Sequence, residues 1–119
     1  MITQDSAGDS ISDSSLNFLQ ENSLVLSGTV VKIPKQSTSP AGISHSQFSI
    51  DHKSIQNEEG MNRQAFVRIQ VVATGELSHL TRELIVGQTV KVIGFINRHE
   101  SRNGNPLIVL HAQQIEMIN

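Results

Sequence analysis

The sequence predicts a small all-β domain preceded by an acidic tail. After Ser23, apolar residues recur mostly with period two, and turn-forming residues separate the runs. No stretch of about 11 residues carries the apolar face of a helix. The chain has 119 residues, close to the usual size of one domain, so separate cofactor and substrate domains are not expected.

The composition of residues 1–22 predicts a disordered tail. This segment holds four carboxylates and no Lys or Arg, and serines dilute its apolar positions. The whole chain has a net charge of -2, but residues 23–119 carry nine basic and seven acidic side chains, so the predicted domain is weakly basic. The alternative for the end of the tail is a short docked helix that includes Leu16, Phe18 and Leu19.

Five strands are predicted in residues 23–119. Gly28 and Gly94 lie inside the first and the fourth strand, where an interior glycine predicts a bulge or a sharp bend. A short helix is predicted over Ser78–Leu84, and Asn103 with Gly104 predicts a hairpin turn. Together these features predict a five-stranded OB-type barrel, with a differently connected sandwich as the alternative. The predicted strands are Leu24–Ile33, Gln47–Ser54, Gln64–Thr74, Thr89–Asn97 and Leu107–Ile118, with long connections over residues 34–46 and 55–63.

The residues offer little for catalysis or export. The chain has no Cys, which excludes disulfides and thiolate sites and favours a reducing compartment, so a cytoplasmic location is expected. The five histidines lack helical metal-site spacing, and the sequence contains no nucleotide-binding or hydrolase motif. His52 and His111 fall in strands and are expected to be structural. We therefore expect no enzymatic activity, no cofactor, no metal, no membrane helix and no signal peptide.

Phe66 is the most informative residue for function. It falls in the same phase as Arg68 and Gln70, opposite the predicted core phase of Val67 and Ile69. An aromatic ring on the solvent face of an OB-type barrel provides a platform on which bases of a single strand stack, at about 1 to 3 kcal/mol each. The alternative is that Phe66 covers a neighbouring side chain or lies in a subunit interface.

Basic residues are expected near this ring. If the second and third strands form a hairpin, Lys53, Arg63 and Arg68 should lie close to Phe66. Other basic residues lie at the end of the first strand and between the fourth and fifth, where OB-type barrels extend a nucleic-acid groove. The predicted nucleic-acid ligands are Lys32, Lys35, Lys53, Arg63, Phe66, Arg68, Arg98 and Arg102.

Seven short segments together resemble primosomal replication protein N (PriB), a family of OB-fold proteins that bind single-stranded DNA. The resemblance covers about Asn22–Ile118. The segments are LVLSGTV from Leu24, SPAGI from Ser39, HSQF from His45, DHKS from Asp51, RQAF from Arg63, VKVIGFI from Val90 and VLHAQQIE from Val109.

The resemblance implies a homodimer that binds single-stranded DNA and bridges the PriA helicase and DnaT at stalled replication forks. It also implies that Phe66 takes the place of the stacking aromatic of the family. Lys32, Lys53 and Arg63 correspond to basic positions on the DNA surface of the family.

Three positions depart from the family pattern. At the position of Met61, a relative in the family has an aromatic side chain that also contacts DNA. Met61 is therefore a further candidate for contact with DNA. Glu100 and Leu107 stand at two positions, in the loop between the fourth and fifth strands, that are basic in the family. Arg98 and Arg102 restore only part of the lost positive charge. The alternative function is therefore a protein–protein adaptor with weak or incidental DNA binding.

Overall fold

Five strands close into a barrel in the computed structural model, which describes residues 18–119. The elements are β1 (Leu24–Thr38), β2 (Ser44–Glu58), β3 (Met61–Thr74), α1 (Glu76–Thr81), β4 (Thr89–Glu100) and β5 (Pro106–Met117). The strand order around the barrel is β1-β2-β3-β5-β4, and only β3 and β5 pair in parallel. The predicted OB-type barrel, with its helix between the third and fourth strands, is confirmed.

The acidic tail lies largely outside the described part of the chain, because the description begins at Phe18. Phe18 and Leu19 are exposed and not helical, so these two residues do not form the docked helix considered as an alternative. The side chain of Asn22 donates a hydrogen bond to the Ile96 carbonyl at 2.8 Å and accepts one from the backbone N–H of Ile96 at 3.0 Å. Asn22 therefore attaches the chain to the barrel just before β1 begins.

Alternation in β2 and β3 sets the inner and outer faces of the barrel. In β2, Phe48 and Ile50 are buried, as the alternation predicts. In β3 the predicted core phase is also the inner phase: Val71 and Ala73 are fully buried, whereas Val67, nearer the hairpin turn, is 37% exposed. The apolar burial that stabilises the fold is therefore concentrated in the barrel and decreases along the β2–β3 hairpin towards its turn.

The two interior glycines allow strands to approach closely. A Cβ atom at Gly94 would lie 1.9 Å from the His111 carbonyl oxygen, beside a register shift between β4 and β5, so the predicted bulge is confirmed there. A Cβ atom at Gly28 would lie 2.8 Å from the Asp51 carbonyl oxygen. The register shifts of β1 come after Val30, so Gly28 marks a close contact near the point where β1 changes partner from β4 to β2.

The predicted connection over residues 34–46 is wrong. β1 continues to Thr38 and β2 begins at Ser44, so only residues 39–43 connect them. The reason is a pair of register shifts in β1, one on each side of Lys32, which accommodate Pro34 and let pairing with β2 continue. These irregular positions disturb the alternation from which strand ends are inferred.

The predicted connection over residues 55–63 is also wrong. Both strands of the hairpin extend into it, and only Glu59 and Gly60 turn, with φ angles of 54° and 79°. Two successive positive φ values are typical of the type I′ turn that matches strand twist. This extension carries polar side chains on both faces, so it lacks the apolar alternation that predicts a strand.

The remaining connections agree better with the sequence. The helix α1 begins two residues earlier and ends three residues earlier than the predicted Ser78–Leu84. Gly104 has a φ of 81° in the β4–β5 turn, which confirms the predicted hairpin. In residues 18–119 we find no helix with the length and hydropathy needed to cross a membrane.

Candidate nucleic-acid interface

Phe66 and Lys53 form a cross-strand pair on the outside of the barrel. They lie directly opposite each other in the β2–β3 ladder, and the Lys53 Nζ is 5.4 Å from the centroid of the Phe66 ring. This distance is within the range of a cation–π interaction. The ring is 69% exposed, so it lies on the solvent face as predicted. The pair borders a shallow groove of about 370 Å³, which is also lined by Ser54, Ile55, Gln64 and Ala65.

Arg68 lies next to this pair but is bonded to Asp51. Its Nε and Nη2 atoms donate hydrogen bonds to the two Asp51 carboxylate oxygens, at 2.6 and 2.9 Å. These bonds hold the pKa of Asp51 below its ordinary value and raise the pKa of Arg68. Arg68 thus lies close to Phe66 as predicted, but Asp51 balances its charge.

Arg63 does not join the cluster in the predicted way. It is three residues from Phe66 in an extended strand, so the two side chains point to opposite faces. The Arg63 Nε is 2.6 Å from a carboxylate oxygen of Glu58. Met61 is in the same phase as Arg63, is 61% exposed and faces Glu58 next to the turn.

Lys32 and Lys35 share a face although their spacing is odd. Simple alternation would place side chains three positions apart on opposite faces. The register shift between them aligns Lys32 with Ser49 and Lys35 with Gln47, two residues of the same β2 phase. A second shallow groove of about 230 Å³ has both lysines in its lining.

The Lys53–Phe66 pair, Arg68 and the two lysines of β1 lie on one continuous surface, which we call the outer face. The β2–β3 register has no shift, so alternate side chains stay on the same face along the whole ladder. The face that carries Lys53 and Phe66 therefore also carries Gln47 and Gln70, and the side-chain amide of Gln70 donates a hydrogen bond to that of Gln47 at 3.0 Å. Gln47 and Lys53 are six residues apart, a span of about 20 Å along the strand. The outer face consists of Lys32, Lys35, Gln47, Ser49, Asp51, Lys53, Phe66, Arg68 and Gln70.

Arg98 and Arg102 lie on a different part of the barrel. Arg98 is exposed and faces Ile108 in the β4–β5 ladder, and Arg102 is in the turn of that hairpin. Glu100 is at the end of β4 on the same hairpin. These two arginines therefore belong to the β4–β5 hairpin, whereas β1, β2 and β3 provide the outer face.

Two of the histidines differ in their surroundings. The His52 ring is hydrogen-bonded on both sides at 2.7 Å: its Nδ1–H donates to the Ser27 carbonyl, and its Nε2 accepts from the Ser54 hydroxyl. This confirms a structural role for His52. His111 instead contacts the imidazole of His99 and the ring of Phe95. Burial, and to a smaller extent the neighbouring His99, lowers the pKa of His111.

Comparisons with known proteins agree with this architecture. The profile of a family described as "another single-strand binding protein family" matches residues 22–114. The chain is 52% identical to the replication restart protein PriB of Photorhabdus laumondii over 99 residues, which cover 82% of this chain and 94% of that protein. It is 50% identical to PriB of Pectobacterium carotovorum, over 82% of this chain and 93% of that protein.

Solved structures show the same fold at low sequence identity. PriB of Ralstonia solanacearum superposes with a TM-score of 0.72 at 20% identity, covering 84% of this chain and all of that one. A deletion mutant of the single-stranded DNA binding protein of Thermus aquaticus superposes with a TM-score of 0.71 at 18% identity, covering 83% of this chain and 51% of that one. These structures show the shared fold, and the sequence matches show that the chain belongs to the replication restart PriB family of single-strand binding proteins.

Proposed function

We propose that this protein is a non-catalytic, cytoplasmic replication restart factor that binds single-stranded DNA through the outer face. The observation that carries the proposal is the exposed Phe66 ring with Lys53 above it, on the same face as Lys32 and Lys35. An aromatic platform with basic neighbours along one face is the arrangement by which OB folds hold single strands.

The residues of the outer face have different roles in this proposal. Phe66 stacks on a base, which favours single strands because bases in a duplex are already stacked. Lys53, Lys32 and Lys35 neutralise phosphates along the strand and release counterions. Arg68 contributes little charge while Asp51 is bonded to it. The outer face therefore predicts binding with little preference among base sequences.

The proposal extends to the partners of the PriB family. We propose that the protein bridges the PriA helicase and DnaT at stalled forks and that it acts as a homodimer. The support is family membership at about 50% identity over most of the chain. The competing function is an adaptor that uses the outer face for protein contacts, and Phe66 would then be an interface residue.

We expect the protein to form a homodimer in solution. A barrel this small with few aromatic residues buries little apolar surface by itself, and burial between subunits adds to it. Analytical ultracentrifugation at micromolar concentration should show a species of twice the 13.0 kDa chain mass. A single species at the mass of one chain would contradict the dimer.

A salt titration of oligo-dT binding separates the DNA-binding function from the adaptor. For the intact protein, log K should fall linearly with log salt, because phosphate contacts release counterions. Lys53→Ala should lower the magnitude of this slope by about 0.7 for one lost contact on a single strand. Lys91→Ala is the matched control, since Lys91 lies on β4, 3.6 Å from Glu116 and away from the outer face. Binding that is absent, or a slope equally reduced in both variants, would favour the adaptor.

Asp51→Asn should strengthen DNA binding. The substitution removes a negative charge from the outer face and frees the Arg68 guanidinium, which can then contact a phosphate. We expect a several-fold gain in oligo-dT affinity at low salt and a slope larger in magnitude by about 0.7. Glu116→Gln removes the same charge far from the outer face and should change neither quantity. A loss of affinity in Asp51→Asn would instead mean that the ion pair supports the platform.

A further inference from the structure

A cluster of two imidazoles and one aromatic ring lies on the β4–β5 hairpin. The Nε2 atoms of His99 and His111 are 2.9 Å apart, and their ring centroids are separated by 5.0 Å. Phe95 stacks on the His111 ring, with centroids 5.0 Å apart and planes only 4° from parallel. Phe95 therefore restrains the His111 ring, while His99 is exposed on the hairpin.

The spacing of the two nitrogens suits one metal ion as well as one hydrogen bond. With metal–nitrogen bonds of about 2.0 to 2.1 Å, two nitrogens 2.9 Å apart subtend an angle of about 90° at the metal. That angle is the cis angle of tetragonal coordination, the geometry of Cu²⁺ and Ni²⁺ with nitrogen and oxygen ligands. Tetrahedral Zn²⁺ would need a separation of about 3.3 Å, so the rings would have to move apart.

We propose that His99 and His111 chelate one tetragonal divalent ion, Cu²⁺ or Ni²⁺, through their Nε2 atoms. The ion replaces the hydrogen bond between the rings, so both imidazoles carry their proton on Nδ1, and each ring turns until its Nε2 lone pair points at the ion and no longer at the other ring. Within residues 18–119 we find no group of three or more His, Asp or Glu side chains arranged to hold a metal. Water therefore fills the remaining positions, which makes this an open surface chelate.

The proposed site would also stabilise a specific part of the fold. His111 pairs with Phe95 of β4 and with Val72 of β3, where β3 and β5 close the barrel through only three residue pairs. His99 belongs to the part of β4 that leads to the β4–β5 turn. A metal held by both rings would add a cross-link between this part of the hairpin and the barrel closure.

The test is metal titration of the full-length protein without an affinity tag. Cu²⁺ binding followed by electron paramagnetic resonance should show coupling to two nitrogens, and saturating Ni²⁺ should raise Tm by about 4 °C or more. His99→Ala should lower Ni²⁺ affinity at least tenfold and abolish the Tm rise. His79→Ala is the matched control, because His79 is exposed on α1 and bonded to Arg82.

A second variant keeps the test independent of stability. His111→Gln preserves a polar side chain next to Phe95 and should lose metal binding as His99→Ala does. If either variant binds Ni²⁺ as tightly as the intact protein, the chelate is wrong and the two imidazoles form a structural hydrogen bond only. The same conclusion follows if His79→Ala causes the greater loss.

Discussion

Replacing Phe66 with alanine should lower the affinity for oligo-dT by about 5- to 140-fold, which corresponds to the loss of about 1 to 3 kcal/mol of base stacking. The slope of log K against log salt should stay nearly unchanged, because Lys53 and the other basic residues remain in place. Fluorescence anisotropy with labelled oligo-dT over a range of salt concentrations measures both quantities. The combination distinguishes stacking from phosphate neutralisation on the same surface.

This interpretation requires that the variant fold and assemble normally. Phe66 is 69% exposed, so its removal should cost the barrel little stability. Ile85→Ala is the matched control, since Ile85 is 61% exposed in the connection after α1, away from the outer face. If Phe66→Ala binds DNA normally but dissociates as a dimer or loses a helicase contact, the ring belongs to an interface and the adaptor function is favoured.

Gly94→Ala should destabilise the barrel by at least about 3 kcal/mol, a large share of the stability of a small domain. The new methyl group would lie 1.9 Å from the carbonyl oxygen of His111 and 2.9 Å from the carbonyl carbon of the same residue. Both are backbone atoms, so β4 and β5 would have to separate at the point where the barrel closes. Thermal unfolding should show a Tm lower by about 12 °C or more.

Gly42→Ala distinguishes this steric effect from the general effect of losing a glycine. Gly42 has a φ of 86°, and a Cβ atom there would meet nothing within 4 Å. We expect a cost of about 1 to 2 kcal/mol from the left-handed backbone alone. A Gly94→Ala protein as stable as Gly42→Ala would show that β4 and β5 can move apart without loss of the fold.

The outer position of Phe66 and Lys53 could be predicted from the sequence because it depends only on alternation. Each lies in a regular run whose opposite phase is apolar, and the β2–β3 ladder has no register shift to disturb that alternation. The same regularity correctly predicted Phe48 and Ile50 in the core. The cluster of His99, His111 and Phe95 was not predicted. Phe95 and His99 are four residues apart in β4, so alternation places them on the same face, and this could have indicated part of the cluster.

Alternation, the glycine positions and the charge count of residues 23–119 were therefore enough to predict a weakly basic β-barrel with an aromatic ring on its solvent face. Lys53 could be placed beside that ring from the sequence, but the tertiary structure alone decided which other charges lie on the same face. The register shifts in β1 bring Lys32 and Lys35 to one face, and the cross-strand partner of Arg68 is an acid that balances its charge. Bulges and cross-strand partners depend on how strands distant in sequence pair, and local periodicity carries no information about that pairing.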